Sequence, residues 1–286
     1  MENFHTSWAA LKRGKVLRAC TSTLATIFIM TNFGASSSAL AQDLATQSQN
    51  PIASLISLPF EFDSNQNVGE EDRTQNILTF KPVVPIDITE NWNLVLRGII
   101  PFIDQPDCGP IDGKTGVGYI QLQTYFVPKK TNSLGGDNFW TWGVGPVLQF
   151  DTASDDILGT GRNAAGIGGV VFAKINNWTV GALLNNVWSV DSSKTREDVT
   201  FMTSQPFVNY NLDNGWYLKT GPVITYNHEA DSGNKWTVPV GGGFGRIFNL
   251  GKQPVNLSVA AYGFAVKPDG GADLQLQASL VFLFPE

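Results

Sequence analysis

Twelve evenly spaced segments with alternating apolar and polar residues constrain the fold more than any other feature of this sequence. Most of them are about ten to fourteen residues long, which exceeds the usual strand of a soluble protein and suits a strand that crosses a membrane. Alternation of this kind predicts strands that separate two different environments. The segments are residues 55–62, 75–88, 92–103, 116–127, 139–150, 164–175, 178–190, 199–210, 216–227, 235–248, 254–266 and 273–284.

The fourth segment shows the alternation clearly. One face carries mostly apolar side chains, from Ile120, Leu122, Thr124 and Phe126. The other face carries phenols and amides, from Tyr119, Gln121, Gln123 and Tyr125. A soluble β-sandwich would also alternate, but amides in mid-strand fit a hydrated lumen better than a sandwich surface. The pattern favours an all-β fold, namely a single antiparallel up-and-down transmembrane β-barrel of about twelve strands.

The connections between the segments also alternate, between short turns and longer loops, as they do in outer-membrane barrels. The short turns are 89–91, 176–177, 212–215 and 249–253. The longer connections are 63–74, 104–115, 151–163, 191–198, 228–234 and 267–272, and 128–138 is long where a short turn is expected. Six prolines inside segments require bulges or kinks, because the proline nitrogen has no hydrogen to donate to a neighbouring strand. They are Pro85, Pro101, Pro146, Pro206, Pro222 and Pro239.

Residues 1–41 are typical of an export signal, with a basic start, an apolar stretch at 24–33 and the cleavage site Ala39-Leu40-Ala41. An organelle transit peptide is the alternative. Residues 42–54 are expected to form an N-terminal periplasmic segment and residues 55–286 the outer-membrane barrel. Without the signal peptide the net charge is −9 and Cys108 is the one cysteine left, so no intramolecular disulfide is expected. No basic stripe is visible, so nucleic acid is not an expected partner.

Three tryptophans, Trp92, Trp178 and Trp216, each open a segment directly after a short turn. Such a recurrence predicts an aromatic girdle at one membrane interface, although tryptophan also suits any half-buried strand start. The last segment alternates and carries Phe282 and Phe284, which is typical of terminal strands read by the barrel-assembly machinery. The expected location is the outer membrane of a Gram-negative bacterium, with its lipids and that machinery as partners.

Short motifs spread from about Asn50 to Phe284 are specific when taken together. They are Asn50-Pro51-Ile52-Ala53, Glu90-Asn91-Trp92-Asn93-Leu94, Pro128-Lys129-Lys130, Trp142-Gly143-Val144-Gly145-Pro146-Val147, Asp151-Thr152-Ala153-Ser154-Asp155-Asp156, Leu158-Gly159-Thr160-Gly161, Trp178-Thr179-Val180-Gly181-Ala182, Gln205-Pro206-Phe207-Val208, Trp236-Thr237-Val238-Pro239 and Gly251-Lys252-Gln253-Pro254-Val255. Through them the chain resembles the outer-membrane barrel family named after the MetA pathway of phenol degradation. The resemblance implies a channel or transport role and suggests aromatic or hydrophobic compounds as solutes, but it supplies no catalytic residues.

Candidate catalytic and metal sites are weak. His228, with Glu229 and Ser232 nearby, could form the base and nucleophile of a lipid-modifying barrel enzyme, but a solvated loop histidine is the favoured interpretation. Three acids between 151 and 156 could ligate Ca²⁺, yet their spacing matches no recognised calcium loop. We therefore predict no enzyme activity, no cofactor and no metal.

Strand parity places Arg97 and Lys219 opposite Trp92 and Trp216, and hence inside the barrel. Together with the polar face of the fourth segment they are the predicted pore-lining residues: Arg97, Tyr119, Gln121, Gln123, Tyr125 and Lys219. The two cations could attract anionic solutes or pair with acids as a structural plug. Two functions remain open, a channel or transporter for small solutes and a non-transporting structural or surface barrel, with a lipid-modifying enzyme less favoured.

Overall fold

The computed structural model describes residues 38–107, 112–192 and 196–285. Residues 1–37 of the predicted signal peptide and Cys108 lie outside these ranges. Helix α1 spans Ser38–Gln49 and so runs across the predicted cleavage site. No helix in the described ranges is long and apolar enough to cross a membrane.

The rest of the described chain is a single sheet of sixteen strands. They are β1 Ile56–Val68, β2 Arg73–Phe80, β3 Val83–Asp87, β4 Trp92–Gln105, β5 Lys114–Val117, β6 Ile120–Pro128, β7 Asn132–Gly135, β8 Asn138–Phe150, β9 Ala164–Ile175, β10 Trp178–Ser189, β11 Thr200–Asn211, β12 Trp216–Thr220, β13 Ile224–Asn227, β14 Trp236–Leu250, β15 Gln253–Val266 and β16 Leu274–Phe284. Two short 3-10 helices, Asp156–Leu158 and Asp213–Gly215, lie in connections. The first and last strands pair antiparallel from Ile56↔Phe284 to Gln66↔Leu274, so the sheet closes into a barrel.

These strands occupy twelve positions around the barrel. β2 and β3 share the second position, and β12 and β13 share the ninth. β5, β6 and β7 follow one another at the fourth, and every other position holds one strand. The predicted all-β, antiparallel barrel of about twelve strands is confirmed. The predictions that 75–88, 116–127 and 216–227 are continuous strands were wrong, because each range is divided in two.

Prolines account for the divisions of 75–88 and 216–227. Pro82 separates β2 from β3 and Pro222 separates β12 from β13, since a proline nitrogen cannot donate to the ladder. At Pro239 the pairing of β14 with β15 shifts register, as a bulge requires. The other four of the six prolines lie within strands. In the described register each of them is paired with a residue of one neighbouring strand only. They are Pro85, Pro101, Pro146 and Pro206.

The unexpectedly long connection at 128–138 is explained by a hairpin. β7 folds back on the start of β8, with Asn132 opposite Trp140. Gly135 and Gly136 form its turn with φ values of 94° and 57°, a region that favours glycine. The chain here extends the sheet at the short-turn end instead of forming an open loop.

The outer face of the barrel is apolar. On β10, Leu184 and Trp188 are 51% and 47% exposed, whereas Leu183 and Val187 on the inner face are 5% and 1% exposed. The same alternation recurs on the other long strands, so apolar side chains cover the outside of a closed barrel. Such a surface needs lipid around it, and the protein is an outer-membrane β-barrel.

Candidate pore lumen

The two predicted lumen cations point into the barrel. On β4, Asn93 and Val95 are buried, and Arg97 continues the same inward row while Trp92 faces out. On β12, Tyr217 is buried and Lys219 follows it inward. Strand parity fixes both directions. The structure therefore brings Arg97 and Lys219 to the same interior, and their role as pore-lining residues stays a prediction.

The polar face of β6 also points inward. Gln121, Gln123 and Tyr125 are 7%, 3% and 0% exposed. Tyr125 donates its hydroxyl to Gln123 Oε1 at 3.1 Å, and Gln123 Nε2 donates to Gln121 Oε1 at 3.1 Å. Arg97 donates to Gln123 Oε1 at 3.1 Å. Tyr119 lies in the connection before β6 and is half-buried, so the predicted polar row joins into one network without it.

A second polar network lines the opposite wall. Lys219 Nζ donates to Gln277 Oε1 at 3.2 Å and to Ser258 Oγ at 3.4 Å. Gln277 Nε2 in turn donates to Asp63 Oδ1 at 3.0 Å. Nearby, Lys81 forms an ion pair with Glu61, and both side chains are 14% exposed.

Sequence reasoning missed Glu61, Asp63 and Lys81 as interior residues. The signal was available for the first two, because Phe60 and Phe62 alternate with them and are 38% and 43% exposed to the outside. Lys81 was not accessible to that argument, since it lies in the interruption between β2 and β3.

The N-terminal segment, residues 44–55, enters the barrel at its short-turn end. Leu44 and Ala45 pack with Tyr217 and Ile247. Farther along, Ala53 and Leu55 pack with Leu283, which is completely buried. These contacts place most of the predicted periplasmic segment, residues 42–54, against the inner wall.

Ile52 forms the apolar anchor of this segment. It is 3% exposed and joins a cluster of inner-face side chains contributed by six strands, β3, β4, β6, β9, β10 and β11. The barrel members are Val83, Val95, Tyr125, Val127, Val170, Phe172, Leu183 and Phe207. Burial of this apolar surface stabilises the segment inside the barrel.

Polar contacts also hold the segment in place. Gln49 donates Nε2 to Asn211 Oδ1 at 2.9 Å and accepts a hydrogen bond from the Thr179 hydroxyl. Asn256 Nδ2 donates to Ser48 Oγ at 3.2 Å. Because the segment is bound by both apolar and polar groups, it occupies a defined place at one end of the lumen.

A cavity of about 190 Å³ lies between this segment and the barrel wall. Residues 48–51 form one side of it, and Arg97, Gln205 and Lys219 are among the wall residues. The cavity is where the predicted pore-lining cations and the N-terminal segment meet.

The three predicted girdle tryptophans face outward at the start of strands. Trp92, Trp178 and Trp216 are 37%, 46% and 41% exposed. β4, β10 and β12 occupy the third, seventh and ninth positions of an antiparallel barrel, so their first residues lie at the same end. Their partners extend the aromatic contacts: the rings of Trp92 and Trp142, of Trp178 and Tyr210, and of Trp216 and Phe244 are 6.0, 4.7 and 6.2 Å apart. A girdle at one membrane interface stays a prediction.

At the other end of the barrel, Arg162 joins two long connections. It is 2% exposed and donates to Asp191 at 2.7 Å and to Asp198 at 3.0 Å. The Asn163 backbone amide, with the Arg162 and Asn163 side chains, lowers the pKa of Asp191 to about 2. The connections 151–163 and 191–198 are therefore fastened together.

The side chains considered as candidate catalytic or metal-binding groups make other contacts. The His228 ring stacks edge-on against Tyr226 at 4.6 Å, and in the described part no hydrogen bond joins its imidazole to Glu229 or Ser232. Asp155 caps a 3-10 helix and Asp156 pairs with Arg196. Among the described residues, no group of three or more His, Cys, Asp or Glu could hold a metal ion.

No known family model matches the chain, and no curated protein matches it. Among solved structures, it is similar to an outer membrane channel from Pseudomonas putida F1, with a TM-score of 0.59 and 14% identity over 80% of this chain and 95% of the other. It also matches the outer membrane phospholipase dimer with bound calcium of Salmonella typhi, with a TM-score of 0.48 and 11% identity over 88% and 99% of the two chains. The first likeness confirms the barrel fold. The resemblance to the phenol-degradation family stays a prediction.

Proposed function

We propose that this barrel is a channel for small solutes across the outer membrane. The observation that carries the proposal is the cavity between the barrel wall and the N-terminal segment, with Arg97 and Lys219 among its lining residues. A buried cation without water or a partner is costly, so a hydrated interior explains why these side chains are kept there. Water in the lumen is what a solute path requires.

The N-terminal segment limits this path. It fills the short-turn end through Ile52, Gln49 and their contacts with the inner wall. Solutes must pass beside the segment or displace it, so we propose a narrow passage that excludes large molecules. A solute class of aromatic or hydrophobic compounds rests on the sequence resemblance alone.

Liposome swelling tests the proposal. Liposomes with the refolded full chain should swell faster than lipid alone in glycerol or a pentose, and the rate should fall steeply for a trisaccharide. Folding is checked by altered gel migration before and after boiling. Swelling that equals the lipid control for every solute would contradict a channel.

A non-transporting barrel is the second candidate, and one observation favours it. Val95, Tyr125, Val147 and Phe172 on the inner face are all 0% exposed, so parts of the interior are packed like a protein core. If this packing runs through the whole lumen, no small solute should cross even after the N-terminal segment is removed.

The last strand supports the proposed assembly partner. Phe282 and Phe284 alternate with the buried Leu283 on β16, which closes the barrel against β1. We assign this strand as the part of the chain read by the barrel-assembly machinery.

A further inference from the structure

The charged side chains that line the interior cavity are all of one sign. Of its lining residues, all of which are described, two are charged, and both are cations, Arg97 and Lys219. β4 and β12 stand six positions apart in the ring of twelve, so the two cations approach the cavity from opposite walls. Cations on opposite walls of a cavity create a positive potential between them.

Neither cation is neutralised by a direct ion pair in the described part of the chain. Arg97 donates to the amide oxygen of Gln123, and Lys219 donates to the neutral oxygens of Ser258 and Gln277. The nearby carboxylates are engaged elsewhere: Glu61 pairs with Lys81, and Asp63 accepts from Gln277. Both cations therefore keep donors for a ligand.

The net charge of the interior groups selects a monoanion. Glu61 and Lys81 cancel each other, and Asp63 offsets part of the charge of Lys219 through Gln277. With Arg97 included, these five residues carry one net positive charge. A second negative charge on the ligand would have no compensating positive charge among these residues and would be costly to desolvate.

The same cavity also has apolar lining. Val83, Leu183, Phe207 and Val281 border it from separate strands. Its volume of about 190 Å³ is below the range of pockets that hold drug-sized ligands, about 300–1,000 Å³. A matching ligand is therefore small and carries a short apolar part beside its charge.

We propose that the cavity is a binding site for a small monocarboxylate with a short apolar chain. The carboxylate lies between Arg97 and Lys219, and the chain lies against the apolar lining. The proposed ligand is also the solute class of the proposed channel, and its role in transport rests on that proposed function. Ligand binding can be measured without transport. The binding site can therefore be disproved while the channel function is supported, and the channel function can be disproved while binding is observed.

Saturation-transfer difference NMR on the refolded full chain tests the site with three probes. Butyrate should bind, whereas butyramide, which has the same shape without the charge, should bind about tenfold more weakly or not at all, as expected for the loss of charge-assisted hydrogen bonds. Succinate should bind more weakly than butyrate because of its second charge. Equal binding of butyrate and butyramide, tighter binding of succinate, or no butyrate signal would each overturn the proposal.

Variants locate the site. Arg97→Met and Lys219→Met should each weaken butyrate binding about tenfold or more. Lys252→Met makes the same charge change in an exposed short turn outside the cavity and should leave binding unchanged. If all three variants behave alike, the signal does not come from this cavity and the proposal is wrong. The wild-type comparison of butyrate with butyramide decides the matter if a lumen variant fails to fold.

Discussion

The short-turn end of the lumen and its middle are built from the same alternating strands but filled in different ways. At the short-turn end, Ile52 of the N-terminal segment completes an apolar cluster with Val127 and Phe172. In the middle, amides and hydroxyls surround Arg97 and Lys219 next to a cavity. Alternation decides which side chains point inward, whereas the contents of the lumen depend on a segment that belongs to no strand.

Breaking the apolar end should have the largest effect. Ile52→Asp places a carboxylate within the apolar cluster, which costs several kcal/mol, so the segment should leave the lumen while the barrel stays closed. Single-channel conductance should rise several-fold. Ile157→Asp, on an exposed outer connection, is the matched control and should conduct like the wild type. Unchanged conductance in Ile52→Asp would show that the segment does not limit the path.

The same cluster should also carry much of the stability. Phe172→Ala removes a side chain with 0% exposure and should lower the free energy of unfolding by about 3–5 kcal/mol, as large-to-small core changes do. Denaturant titration of the refolded barrel measures this loss. Phe150→Ala, on the lipid-facing side and 41% exposed, should cost less. Equal losses would mean that the inner cluster is not packed like a core.

Changing the polar middle should alter selectivity more than folding. Arg97→Ala with Lys219→Ala removes both cavity cations, so the reversal potential in a salt gradient should shift toward cation preference. Gel migration before boiling should remain that of a folded barrel. If the double variant instead loses stability and conducts nothing, the two cations act as a structural plug.

The difference between the two regions also shows what the sequence could predict. Parity from Trp92 and Trp216 placed Arg97 and Lys219 inside, because a strand permits no other alternation. The same argument could not place Ile52, since α1 and the residues after it lack the period of a strand. Lys81 was missed for a related reason, because Pro82 interrupts the strand and resets the pattern.

The fastened outer connections should show the smallest effect, one that depends on pH. The pKa of Asp191 is lowered from 3.8 to about 2, so its contribution is present above about pH 3.8 and is lost as the pH falls through about 2. Amide hydrogen exchange in the connection 191–198 should be less protected at pH 2 than at pH 4, after correction for the intrinsic pH dependence of exchange measured on a control peptide. Asp191→Asn should remove this difference, whereas Asp72→Asn should keep it.

The most direct test of the central claim is single-channel conductance of the full chain beside a variant that lacks residues 44–53. Deletion removes Ile52 and Gln49 together and leaves every barrel strand intact. The account predicts small conductance for the full chain and several-fold larger conductance for the shortened chain, with both folded by gel migration. Absence of conductance in both would contradict a channel and identify the barrel as a filled, non-transporting structure.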